Sequence, residues 1–198
     1  MKNKKSGFRH PLLFYRRTTD RIWKATLLLG VVVTIVSRWT LLRETKILGI
    51  SSDVWLYAAG IIAFAICFFA FLSRYLAYVQ VGESYLKVVT PFLRFNISFR
   101  RIRRMYPVLI QQLFPREKSS WTQINFLQPF YGRTTLVADL YGFPLTPQIM
   151  KLFLPAPMFS PRSTGLVFVV PDWLKLSTEF DSSRGTWLLT QSRRNKAN

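Results

Sequence analysis

The chain has 198 residues, 28 of them Lys or Arg against nine Asp or Glu, for a net charge of +19. With Cys67 as the single cysteine and His10 as the single histidine, it holds no disulfide framework, no cysteine metal site and no histidine-based triad. No phosphate-cradling glycine loop or Gly-x-Ser-x-Gly elbow is present either, so composition and motifs exclude the common enzyme classes and call for no cofactor.

In chain order, residues 1–21 read as a basic tail. Residues 1–24 carry eight Lys or Arg against Asp20 alone. Arg16-Arg17 has the form of a twin-arginine export signal, but Thr18-Thr19-Asp20 follows it and weakens that reading. Residues 25–37 (ATLLLGVVVTIVS) are uncharged and would make about 20 Å of helix. If Lys24 and Arg38 snorkel, the span extends to 22–42. A cleaved signal peptide fits poorly: the basic segment before it is long, Arg38-Trp39 follows directly, and no A-x-A-like site appears. A re-entrant or interfacial helix is the alternative for this stretch.

Residues 54–73 (VWLYAAGIIAFAICFFAFLS) are twenty uncharged residues, ten of them Leu, Ile, Val or Phe, and reach about 30 Å as a helix. Trp23, Trp39, Trp55, Tyr57, Tyr75 and Tyr78 flank the two stretches as interfacial anchors would. The pattern predicts a transmembrane hairpin over 22–75. Its flanks carry nets of +7 before the first span and +11 after the second, against +1 in the connection. Positive flanks stay inside, so both termini are expected to be cytoplasmic in a multi-pass protein of the cell membrane.

Residues 76–187 are long enough for one small domain and read as strands first and a helix last. Residues 78–81 and 85–90 flank the turn Gly82-Glu83-Ser84. Residues 92–99 alternate Leu93, Phe95, Ile97 and Phe99 against Arg94, Asn96 and Ser98. Further strands are expected at 108–114, 134–140 and 165–170, with a polar segment at 115–123 and a short helix at 145–154 opened by Thr146-Pro147. Asp172 suits the N-cap of a helix over 172–184 that would bury Trp173, Leu176 and Phe180. Asp139, within LVADLYG, fits either a pocket or the solvent side of the strand, and strict alternation favours solvent. Residues 188–198 read as a second basic tail. The expected class is therefore α+β: a two-helix membrane hairpin followed by a small antiparallel β-sandwich or barrel with a C-terminal helix.

The hairpin, the VGESYLKVVTP segment, FNISFRRIRRM, and the late strand running into a helix resemble the bacterial pleckstrin-homology-like membrane proteins. Asn96 to Ile102 has the form of the ISFxxI stretch that follows the third strand in that family. FLQPFYGRTTLVADLYGFPL and MFSPRSTGLVFVVPDW are similar to one branch of it. The likeness covers residues 22–184 and implies about seven strands closed by the terminal helix, with no catalytic residue. Eukaryotic phosphoinositide-binding relatives hold the headgroup with Lys and Arg around the first strand-to-strand loop. The corresponding loop here, Gly82-Glu83-Ser84, is short and acidic and is followed only by Lys87, which argues against inositol-phosphate binding of that kind.

Arg100, Arg101, Arg103 and Arg104 surround Ile102, with Arg94 upstream, and form a donor cluster suited to phosphate or carboxylate. Near an anionic inner leaflet each would add ~1 kcal/mol. The bland counterpart is a solvated face that only enforces topology. Nucleic acid is a third candidate, through the charge together with Trp121, Phe126, Phe130 and Tyr131, but no recognition-module signature accompanies them. The sequence thus points to a non-enzymatic, membrane-anchored module that engages a protein partner or anionic lipid. The alternative is a structural subunit of a membrane complex, packing through Ala58, Ala59, Gly60, Ala63, Ala65 and Ala70.

Overall fold

The computed structural model describes residues 7–41, 46–47 and 50–197, and within the segment expected as a tail residues 9–11 form a strand. β1 (Arg9–Pro11) leads into α1 (Leu13–Leu41). A two-stranded ribbon of β2 (Lys46–Ile47) and β3 (Ile50–Ser51) precedes α2 (Ser52–Leu76). Residues up to Tyr15 and from Leu76 onward form one compact unit, and Arg16–Tyr75 form another.

In the helical unit, α1 and α2 are 29 and 25 residues long, about 44 and 38 Å. Both contain stretches long and apolar enough to cross a membrane. They pack antiparallel along a seam of small residues. Gly30 of α1 and Gly60, Ala63, Cys67 and Ala70 of α2 are buried. A Cβ at Gly30 would lie 3.5 Å from the Phe64 ring, an ordinary contact, so the seam is close enough to be filled by small residues. Near one end of the seam the Trp23 and Phe71 rings meet edge to face at 6.0 Å, and Arg74 pairs with Asp20 at 3.3 Å. Leu28, Ile35, Ile61 and Phe68 lie on the opposite, exposed faces.

The other unit holds two antiparallel sheets. β4 (Tyr78–Val81), β5 (Tyr85–Val89) and β6 (Arg94–Ser98) join β1 in the order β1-β4-β5-β6. β7 (Ile102–Leu109), β8 (Thr134–Leu140) and β9 (Gly165–Phe168) form the second sheet in that order. Short helices α3 (Ile110–Leu113), α4 (Trp121–Leu127) and α5 (Pro147–Phe153) fill the connections. α6 (Trp173–Ala197) ends the described chain. The alternation expected in 92–99 is present: Phe95, Ile97 and Phe99 are buried, while Arg94 and Asn96 are exposed. They meet Leu86 and Val88 of β5 and Val79 and Val81 of β4 in one core.

Several boundaries differ from expectation. The strand expected at 108–114 begins six residues earlier and gives way at Ile110 to a helical turn. β7 is an edge strand, so Arg103, Arg104 and Pro107 are solvated and disturb no ladder on the outer side. Asp172 caps α6, its Oδ1 accepting from the Lys175 amide at 2.9 Å. The helix buries Leu176 and Phe180, but Trp173 is only half-buried. α6 also absorbs most of residues 188–198, expected as a tail.

The basic N-terminal segment is the larger difference. His10, far from any pocket in sequence, is buried, with Nε2 3.2 Å from Glu179 Oε2 on α6. Gly7 approaches β4 so closely that a Cβ would sit 2.7 Å from the Val81 carbonyl oxygen. Leu12 and Phe14 fill the β core, and the Phe14 ring meets Phe126 at 5.8 Å and Phe130 at 5.1 Å. The β domain therefore needs residues from before the first long helix. A fragment starting at Val79 should not fold stably, and Phe14→Ala should cost about 3–5 kcal/mol. Limited proteolysis of the full-length protein should show cleavage within residues 76–197 for Phe14→Ala and Phe180→Ala, and a smaller effect for Trp173→Ala. Parent-like resistance of Phe14→Ala would return residues 7–15 to the status of a tail.

Candidate functional site

The register of the first sheet separates its two ends. Pro11, Tyr78, Val89 and Arg94 lie side by side at one end, where β1 runs out into α1 and α2 runs into β4. Tyr85 and Ser98 lie at the other, beside the Gly82-Glu83-Ser84 turn. The four steps from Arg94 to Ser98 cover about 14 Å. Beyond Ser98 the Phe99 amide donates to the Ser84 carbonyl at 3.0 Å, and the arginine run begins. Arg94 is therefore at the end carrying the chain links, and Arg100, Arg101, Arg103 and Arg104 follow from the far end. The five arginines read as one cluster are split.

Within the run the arginines also differ. Arg100 and Arg103 are exposed, and their side chains make no hydrogen bond or ion pair among the described residues. Arg101 donates to the Phe143 carbonyl at 3.4 Å. Arg104 donates through Nε to Asp139 Oδ2 at 2.7 Å, and its guanidinium lies 4.7 Å from the Tyr106 ring centroid.

Asp139 is the residue that the alternation argument misplaced. β8 is buried along both faces from Thr135 to Leu140, so period two does not sort it, and Asp139 is only 5% exposed. Its Oδ1 accepts from Ser163 Oγ at 2.5 Å and Tyr106 OH at 3.4 Å, and Ser160 Oγ lies 3.1 Å from Ser163. Burial opposes ionisation of this carboxyl. The hydrogen bonds from Ser163 and Arg104, with the Arg104 charge, outweigh it and hold the group below its ordinary range. The same contact raises Arg104 further. The carboxylate ties β7, β8 and the approach to β9 together.

A register shift between Ile102 and Arg104 marks a bulge in β7 opposite Asp139 and Leu140. Arg184 of α6 donates to the Ile102 and Arg103 carbonyls at 3.0 and 3.1 Å, satisfying groups displaced by the bulge. Arg184 thus holds the backbone at Arg103, a role with no sequence signal. Phe99 packs edge to face on Phe180 and Trp187 at 5.3 and 6.1 Å. Beside it lies a groove of about 560 Å³ between Glu83-Ser84 and α6, lined by Ser183, Trp187, Gln191 and Arg194 among others. The far end thus presents two free arginines next to a polar groove.

Other named residues are dispersed. Trp39, Trp55 and Tyr75 are exposed on the long helices, Trp23 is half-buried in their seam, and the side chain of Tyr57 lies outside the described residues. Tyr78 is a sheet residue with the Arg9 guanidinium 4.9 Å from its ring centroid. Of the aromatic set considered for base stacking, Trp121 is 77% exposed and Tyr131 half-buried, while Phe126 and Phe130 pack on Phe14. Among the described residues no group of three His, Cys, Asp or Glu converges to hold a metal. The first strand is β1, so its connection to the next strand is the pair of long helices and not Gly82-Glu83-Ser84. No family model, curated protein or solved structure matches the chain.

The Asp139 network makes a pH prediction. A carboxyl held below its unfolded value stabilises the fold above about pH 4, and that contribution is lost as pH falls through the folded value. Asp139→Asn should cost about 1.5–3 kcal/mol near neutrality, the scale of hydrogen bonds to a charged group. Thermal melts of the two proteins should converge as pH falls below about 4. A gap independent of pH would show that the charge of Asp139 is not what stabilises the sheet.

Proposed function

We propose that the chain is a non-enzymatic, membrane-anchored binding module of pleckstrin-homology-like build, with both termini cytoplasmic and its free arginines presented to a protein partner. The long helices expose Leu28, Leu29, Ile35, Ile61, Ile62 and Phe68, a surface that water would not tolerate and hydrocarbon would cover. That β1 precedes α1, β4 follows α2 and the two strands pair supports an even number of crossings, in line with the +7 and +11 flanks. Two antiparallel sheets followed by a terminal helix support the family resemblance, with one of the seven strands, β1, supplied from before the hairpin and outside the segment that the resemblance covers.

The observation that carries the reading is the split of the arginines. Both chain links leave from one end of the first sheet, and Arg100, Arg103 and the groove lie off the other end, about 14 Å away along β6. Basic groups placed there suit an acidic protein surface better than the leaflet that anchors the chain. Gly60, Ala63 and Ala70 pack α2 against α1, so these small residues do not separate this reading from the assembly-subunit alternative.

Full-length protein captured from mild detergent should retain soluble acidic partners at low salt and release them as salt rises. An Arg100→Gln, Arg103→Gln double variant should lose them while still inserting. Retention of membrane subunits alone, in fixed ratio and indifferent to the double variant, would favour the assembly role instead.

A further inference from the structure

At the end of the first sheet that carries the chain links, the β5–β6 turn spans residues 90–93. Thr90 closes it on Leu93, its amide donating to the Leu93 carbonyl at 2.8 Å and its Oγ1 to the same oxygen at 2.9 Å. The tip residue Phe92 is 57% exposed. Its ring stacks on Phe153 of α5 with centroids 6.2 Å apart and planes 25° from parallel. α5 buries Met150 inward and turns Ile149 and Leu152 outward, at 47% and 76% exposure. Two segments more than fifty residues apart in sequence therefore meet to expose Phe92, Ile149 and Leu152 together. Lys151 and Arg94, both exposed, flank them.

Neither segment needs these residues for its own core, and a soluble surface gains nothing from a phenylalanine at a turn tip. Position decides what they meet. Val89 and Arg94, which bracket the turn, stand in register with Tyr78 and Pro11. Only Ala77 separates Tyr78 from α2, and only Leu12 separates Pro11 from α1. The apolar tip is thus on the side of the sheet where two short covalent links hold the domain to the long helices.

We propose that Phe92, Ile149 and Leu152 form a wedge that enters the interfacial zone of the leaflet anchoring the chain, with Lys151 and Arg94 meeting lipid phosphates. This rests on the membrane reading of α1 and α2. Apolar side chains rimmed by basic ones match an anionic bilayer interface. Because the domain is already tethered, the local lipid concentration is high and a shallow contact suffices. Arg100, Arg103 and the groove, off the opposite end of the sheet, take no part in the wedge.

The test uses the full chain with Cys67→Ala, reconstituted in phosphatidylcholine and phosphatidylglycerol vesicles. Single cysteines replace Leu152, Phe92, Ser84 or Phe68 and carry an environment-sensitive fluorophore. Spin-labelled lipid should quench labels at Leu152 and Phe92 severalfold more than at Ser84, and Arg94→Glu with Lys151→Glu should reduce that quenching. Strong quenching at Phe68 with Leu152 no better quenched than Ser84 would overturn the wedge and leave the membrane anchor standing. A blue-shifted but unquenched Leu152 label would assign the patch to a protein surface, also overturning it. Absence of quenching at Phe68 would remove the membrane reading itself, and the wedge with it.

Discussion

The pairing of β1 with β4 is the constraint on which the rest of the fold depends. His10 and Val79 face each other across 69 positions of sequence, so the sheet begins before the long helices and resumes after them. Closing a flexible loop of that length would cost about 4 kcal/mol beyond the constant term. Antiparallel packing of α1 on α2 shortens the effective loop that this pairing has to close. The dependence runs the other way as well. Leu12 and Phe14, just past β1, complete the hydrophobic core, and His10 reaches Glu179 on the terminal helix.

That pairing also gives the domain a polarity. One end of the sheet carries the chain links, the Phe92 turn and, through ring stacking, α5. The arginine run and the groove beside Trp187 lie off the opposite end. Within the second sheet, Asp139 holds Arg104 and Ser163 while Arg184 holds the carbonyls of the bulge. The free guanidinium of Arg103 therefore sits on a fixed backbone, which lowers the ordering cost of any anionic contact it makes.

Much of this was legible in the sequence where local pattern and burial agree. The apolar stretches gave both long helices, period two gave β6, and Asp172 and Thr146-Pro147 marked the starts of α6 and α5. β1 was hidden because a three-residue strand among basic residues carries no period, and its partner lies beyond two helices. The start of β7 was hidden because FRRIRR reads as a charge run, although an edge strand can place such residues in water. Asp139 was assigned to solvent by an alternation that fails in a strand covered on both faces. The split of the arginines could not be read at all, since it follows from strand register and not from spacing along the chain.

The pairing itself is open to direct measurement in the full-length protein. Facing residues in an antiparallel sheet have Cα atoms about 4.5–5.5 Å apart, within the range a disulfide spans. Cysteines at Arg9 and Gln80, which face each other, should cross-link on mild oxidation in a Cys67→Ala background, as should a reference pair at Lys87 and Asn96. Efficient bridging of both pairs is the expected result. Bridging of the reference pair alone would mean that the chain before α1 does not join the sheet, and the polarity built on it would fall.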